Sequence, residues 1–169
     1  MEYRVVKAHE VSRMCLVCGQ DNHAGLHTQF LECDDGTLLA YFTPDEQHQS
    51  YPGRTHGGVE AALLDELIGR TIQVEEPETW GVTMELRVKY RKPLPYGQGL
   101  WARARLTENR NRLMEGTGEI LLPDGQVAAE AWARYMKLPI SKIVDDGEHL
   151  LSEMRPDTRE LPPTVTLPD

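Results

Sequence analysis

The segment Thr55-His56-Gly57-Gly58-Val59-Glu60-Ala61-Ala62-Leu63-Leu64-Asp65 sets a histidine and two glycines before a run of good helix formers. A carboxylate follows eight residues after the first glycine. A helix N-terminus carries unpaired N–H groups and the positive end of the helix dipole. Glycine at that point lets a ligand approach the backbone closely. Gly57, with Gly58 beside it, is therefore a candidate oxyanion hole for a polarised carbonyl. The competing reading is a glycine-rich helix cap that binds nothing.

Asp65 is harder to explain as scaffold. Its helical neighbours three and four residues away are Ala61, Ala62, Ile68 and Gly69, which offer no charge partner. A carboxylate among such residues is costly unless it is hydrogen-bonded or put to use. Burial would raise its pKa toward that of a general base. Eight helical residues span about 12 Å along the axis, whereas a carbonyl and its attacking water must each lie within about 3 Å of their catalytic groups. One helix cannot easily serve one substrate with both Gly57 and Asp65. Two antiparallel copies related by a twofold axis can, so a catalytic pair here implies a dimer with shared sites.

The elements that must position these residues can be read from periodicity. Leu38–Phe42 follows the turn Asp34-Asp35-Gly36 and reads as a strand. His48 to Thr55 is a loop, and the helix runs from Gly57 to about Val74, ahead of Pro77. In the next segment Met84, Leu86, Val88 and Tyr90 alternate with Glu85, Arg87 and Lys89, the period of a half-buried antiparallel strand spanning 81–90. Strands over 100–107, 112–122 and 126–138 follow, the last two joined by the turn Pro123-Asp124-Gly125. Together these four are expected to form a meander. Val59, Ala61, Ala62, Leu63, Leu64, Leu67 and Ile68 cover most of the helix circumference, so the helix must be wrapped. A curved antiparallel sheet around a central helix, an α+β architecture, is the economical solution. The residues up to Asn22 read as irregular or partly helical. The tail after Ser141, with Pro156, Pro162, Pro163 and Pro168, reads as extended or mobile. The organisation expected is an N-terminal segment (1–37), a core (38–140) and a Pro-rich acidic tail (141–169).

Composition narrows the function classes. No run approaches the roughly 18 apolar residues of a membrane span, and the first residues lack the apolar block of a signal peptide. Three cysteines suit a reducing compartment, so a cytoplasmic location is expected. A net charge of −9 argues against general nucleic-acid affinity. Eight basic residues nevertheless stand against one acid between Arg87 and Arg112. Such a stripe suits a small polyanionic ligand, or else an ordinary solvated sheet face.

The run Tyr51-Pro52-Gly53-Arg54-Thr55-His56-Gly57-Gly58, with Leu64-Asp65 and then Gly81-Val82-Thr83 through Tyr90-Arg91-Lys92-Pro93, resembles the hotdog-fold acyl-CoA thioesterases of the PaaI-like family. The upstream Cys15-Leu16-Val17-Cys18-Gly19-Gln20-Asp21-Asn22, with Gly25-Leu26, resembles the segment that opens many of those domains. The resemblance spans about Cys15 to Leu138. It implies a hotdog fold, a homodimer often paired into a tetramer, and hydrolysis of an acyl-CoA thioester with no cofactor beyond the substrate's own CoA. It also implies that the Gly57 N–H polarises the carbonyl, that Asp65 of the other subunit acts as base or nucleophile, and that Thr83 places the water or the acid. His56 is expected to order the loop. One departure stands out: Ser50 occupies a position where the family often carries Asn, with His48 or Gln49 as candidate substitutes. Gly58 and His48 are further substrate-binding candidates, as are Arg110 and Arg112 toward the CoA phosphates, although Arg87, Lys89 and Arg103 are equally basic. The alternative function is a non-catalytic acyl-CoA or lipid-sensing module on the same fold; a hotdog dehydratase suits the acid and histidine arrangement poorly.

Cys15-x-x-Cys18 with His23 and His27 invites a zinc reading. All four lie within 13 residues and no second C-x-x-C exists, whereas structural zinc pairs normally flank a longer element. Neither metal binding nor redox chemistry is expected, and local packing or turn geometry is the expected role of the cysteines. Trp80, Trp101 and Trp132 are expected in the core or an interface.

Overall fold

The computed structural model describes residues 1–146, 149 and 152–168. Its strands are β1 (Glu2–Ala8), β2 (Val11–Ser12), β3 (Gln29–Cys33), β4 (Leu38–Phe42), β5 (Trp80–Tyr90), β6 (Leu100–Asn109), β7 (Leu113–Leu121), β8 (Val127–Leu138), β9 (Met154–Arg155) and β10 (Thr164–Thr166). Two helices, α1 (Gly57–Gly69) and α2 (Ile72–Glu75), lie between β4 and β5. Eight strands form one antiparallel sheet in the order β10-β1-β3-β4-β6-β7-β8-β5, and β2 pairs with β9 apart from it.

The sheet curls around α1, as the apolar circumference of the helix demands. Leu63, Leu64, Leu67 and Ile68 are fully buried among Phe30, Leu38, Ala102, Met114, Ile120 and Tyr135. Each such side chain contributes roughly 1.5–3 kcal/mol of apolar burial. Two glycines on β7 set how close the helix comes. A Cβ at Gly116 would lie 2.7 Å from Ile68 Cγ2, and one at Gly118 would lie 3.0 Å from Ile68 Cγ1. Any side chain there would push the helix off the sheet.

Several expectations need correction. The N-terminal stretch expected to be irregular contains β1, which pairs with β3, and the C-terminal tail returns as β10 to pair with β1. Tyr3, Val165 and Leu167 close a second small core with Leu31, Cys33, Leu39 and Leu121. The sheet therefore extends past both ends of the 38–140 core. The alternation within β3 is masked because all five of its residues are buried. The helix ends at Gly69 rather than Val74. Thr71 Oγ1 donates to the Ile68 carbonyl at 2.7 Å, a local bond that competes with helix propagation.

The meander has three strands, not four. β6, β7 and β8 follow one another, but β5 pairs with β8, with Trp80 opposite Leu138 and Tyr90 opposite Ala129. β5 is thus a sheet edge. A register shift between Thr83 and Glu85 interrupts its alternation. Met84 and Tyr90, expected to face the core, are 54 % and 51 % exposed.

Candidate active site

The α1 start is built by its cap. His56 Nδ1 accepts the Gly58 N–H at 2.8 Å, which leaves the ring proton on Nε2. The Gly58 amide is thereby used inside the cap. The Gly57 N–H makes no hydrogen bond among the described residues, and Gly57 is half-buried. Tyr90, at the far end of β5, donates its hydroxyl to the Gly57 carbonyl at 2.7 Å. The absent side chain lets that ring settle over the helix start, since a Cβ on Gly57 would lie 3.2 Å from Tyr90 Cε1 and Cζ. One N–H with helix-dipole polarity, open at a half-buried position, can donate to a carbonyl oxygen and stabilise negative charge that develops on it.

Asp65 is half-buried and hydrogen-bonded, so its lack of helical charge partners is answered from the sheet. Thr83 Oγ1 on β5 donates to it, at 2.9 Å from Oδ1 and 3.2 Å from Oδ2. The Tyr135 hydroxyl on β8 lies 2.7 Å from the Asp65 carbonyl and 3.1 Å from Oδ1. Burial holds the Asp65 pKa above the ordinary carboxylate value, against the opposing pull of the Thr83 and Tyr135 hydrogen bonds. Thr83 is exposed on the edge strand, so Asp65 reaches the open margin of the sheet. A carboxylate held there by two hydroxyls can take a proton from water or attack a carbonyl carbon.

The remaining candidates separate. His48 is buried, with Nδ1 accepting the Asp45 N–H at 3.0 Å and Nε2 3.0 Å from the Ala24 carbonyl. Both of its ring nitrogens are thus engaged in stapling the loop. Gln49 Oε1 accepts the Tyr96 hydroxyl at 3.1 Å. Ser50 is exposed and only its backbone is engaged, through a 2.9 Å bond to the Arg54 carbonyl. Of the three groups near the position where Asn is usual, the Ser50 hydroxyl is therefore the uncommitted one among the described residues.

Arg110 and Arg112 lie in the β6–β7 turn, remote from Gly57 within one chain. That turn is tied to the start of β5, since Lys137 N–H donates to the Arg112 carbonyl at 2.9 Å and Lys137 pairs with Gly81 across β8 and β5. Arg110 Nε binds Glu108 Oε1 at 2.7 Å. The wider basic stripe lies on the outer face of the sheet, along a groove of about 620 Å³ lined by Arg87, Lys89, Arg103, Arg105 and Trp132. Most of its charge is neutralised locally: Arg87 by Glu85, Arg103 by Glu119 and Arg105 by Asp35. It behaves as a solvated sheet face, away from α1.

Three contributors were not legible in the sequence. Tyr135 and Tyr90 reach the helix only through strand register. Glu60, 4 % exposed, points into the protein one turn from Gly57, and its Oε2 has no hydrogen bond among the described residues. Burial pushes its pKa up to about 7.

The fold has counterparts among solved proteins. Residues 52–129 match the model of the thioesterase superfamily. A solved thioesterase superfamily protein is 28 % identical at a TM-score of 0.68, with 74 % of this chain covering 64 % of that one. Zebrafish thioesterase superfamily member 2 is 21 % identical over 70 % of this chain and 86 % of its own, at a TM-score of 0.61. The Escherichia coli PaaI protein from the phenylacetic acid degradation operon is 17 % identical over 67 % and 80 %, at a TM-score of 0.60. No curated protein matches by sequence. No described helix is long and apolar enough to cross a membrane. Over residues 52–129 this chain is similar to the thioesterase superfamily, and it is built on the hotdog fold that it shares with PaaI.

Proposed function

We propose that the protein hydrolyses an acyl-CoA thioester in a site shared by two copies of the chain. The observation that carries this reading is the Asp65 carboxylate, held by Thr83 and Tyr135 at an open sheet edge, while the Gly57 N–H stands unused at the start of the same helix. β5 offers eleven residues of edge backbone together with exposed Val82, Met84 and Tyr90, and an edge of this kind favours pairing with another strand. Antiparallel pairing of two β5 strands about Leu86 and Arg87 would set Thr83 of one copy opposite Tyr90 of the other. Because Thr83 holds Asp65 and Tyr90 holds Gly57, that register brings the acid of one copy toward the helix start of its partner.

In this site the Gly57 N–H binds the thioester oxygen and stabilises the charge that develops on it. Asp65 of the other copy takes a proton from water, whose oxygen attacks the carbonyl carbon, or attacks that carbon directly to give a mixed anhydride that water then hydrolyses. The C–S bond then breaks, and CoA leaves as a thiolate and takes up a proton. The Ser50 hydroxyl is available to the water, and Arg110 and Arg112, at the Asp65 end of the sheet, flank the CoA phosphates. No cofactor is required. Such a protein works in the cytoplasm, where acyl-CoA is found, as a dimer or a pair of dimers. A thiol-release assay over aliphatic and aromatic acyl-CoAs tests the proposal. Steady turnover that is lost in Asp65→Asn supports it, and tight binding without thiol release assigns the fold to ligand sensing instead.

A further inference from the structure

Cys15 and Cys18 lie in the loop after β2, against the C-terminal half of α1. Their sulfurs and the nearest Glu66 carboxylate oxygen all fall within 4.8 Å of one another. Two thiols and a carboxylate at that spacing can hold a soft divalent ion or carry out thiol exchange. Arg70 decides between these uses. Its guanidinium is buried, with Nε donating to Glu66 Oε1 at 2.8 Å, Nη2 to Cys18 Sγ at 3.3 Å and Nη1 to the Glu10 carbonyl at 2.7 Å. Two of the three potential ligands are thus already bound to a cation that the chain supplies. A divalent ion would be forced against that fixed positive charge, whereas a sulfur anion is stabilised by it.

The rest of the loop also favours sulfur anion. The Val17 N–H points at Cys15 Sγ and the Ser12 N–H at Cys18 Sγ, each at 3.4 Å. The turn is too tight for a side chain at Gly19, where a Cβ would lie 2.4 Å from the Cys15 carbonyl oxygen. The two sulfurs differ in access, Cys15 being half-buried and Cys18 fully buried. The hydrogen bond from the Cys18 thiol draws the Cys15 pKa down to about 6, and the same bond, with burial, pushes Cys18 up. An accessible nucleophile beside a protected partner is the division of labour that thiol–disulfide exchange needs.

We propose that Cys15 and Cys18 form a redox-active dithiol that closes to a disulfide by exchange with a low-molecular-weight disulfide. The Cys15 thiolate attacks one sulfur of the small disulfide, whose S–S bond breaks and releases one thiolate. Cys18 then gives up its proton and attacks the Cys15 sulfur, releasing the second thiolate. The protein loses two electrons, and the small disulfide is reduced to two thiols. This site is separate from the Gly57 and Asp65 chemistry and does not depend on it.

The test mixes the reduced 169-residue chain with oxidised glutathione, quenches with acid and maps the peptides by mass. The wild-type chain should lose two hydrogens, link Cys15 to Cys18, leave Cys33 free and recover fully with dithiothreitol. Cys18→Ser should stop at one glutathionyl group on Cys15, and Cys15→Ser should react at least about tenfold more slowly. Alkylation of wild-type Cys15 by iodoacetamide should be half-maximal at about pH 6, below the roughly 8.5 of a free cysteine. The wild-type mapping needs no variant to fold. A folded wild-type chain that keeps all its thiols free overturns the proposal, as does one that purifies with an equivalent of zinc shielding both cysteines.

Discussion

Thr83 Oγ1 lies 2.9 Å from Asp65 Oδ1, and this contact, like that of the Tyr90 hydroxyl with the Gly57 carbonyl, joins the central helix to the exposed edge of the sheet. The acid is thereby oriented by a residue that itself faces outward. The proposed hydrolysis should accordingly be sensitive both to the acid and to whatever the edge strand meets.

Asp65→Asn keeps the volume of the side chain and can still accept the Thr83 hydroxyl, so the fold should be retained. It can neither take a proton nor attack as an anion. We expect kcat to fall by roughly 100-fold or more with little change in affinity for CoA. Steady-state kinetics and circular dichroism on the same preparation check this, and near wild-type turnover would remove Asp65 from the chemistry.

Thr83→Val removes a hydrogen bond to the charged form of Asp65. That bond lowers the Asp65 pKa, against the raising effect of burial, so its loss should raise the pKa further. In the proposed reaction only ionised Asp65 acts, and the acidic limb of the pH–rate profile should therefore move to higher pH. An unmoved limb with unchanged kcat would show that Thr83 does not tune the acid.

Glu60 makes stability depend on pH. Its folded pKa is about 7 against an ordinary 4.5, so the folded state binds the proton more tightly than the unfolded one. The stabilisation from protonation is complete below about 4.5 and is lost as pH rises through about 7. Glu60→Gln should consequently raise the melting temperature at pH 8 and change it little at pH 4. Equal shifts at both pH values would mean that the carboxyl is not protonated in the fold.

The proposed shared site predicts rescue between inactive chains. Gly57→Pro removes the N–H but suits the first helical position. His56 already has φ −69° and ψ 132°, which a residue before proline can adopt. The Tyr90 ring must yield slightly, since it lies 3.2 Å from a Cβ at this position, so thermal stability has to be measured alongside. Mixed with Asp65→Asn under subunit exchange, about half of the dimers are hybrids, each with one intact site. Activity should return to roughly a quarter of wild type. Demonstrated exchange without recovery would place Gly57 and Asp65 on separate paths.

Local patterns in the chain were enough to mark the glycine-started helix, the acid within it, the positions of β4 and β6 to β8, and the wrapping of the helix by an antiparallel sheet. These rest on interactions a few residues apart: periodic burial, turn residues and helix caps. The pairing of β5 with β8 was not legible, because both strands alternate and nothing local says which neighbour each will take. β3 was missed because it is buried on both faces and shows no alternation. β1 and β10 were missed because a short terminal strand becomes a strand only when its distant partner is present. The same limit governed the sites. Asp65 looked unpartnered until Thr83 and Tyr135 arrived from 18 and 70 residues away. Cys15 and Cys18 looked like a turn until Arg70, 52 residues beyond Cys18, set a guanidinium on the sulfur. Side-chain type and spacing mark where chemistry is possible, but burial and long-range hydrogen bonds set the pKa of each group and choose its partner, and those exist only once the chain has closed on itself.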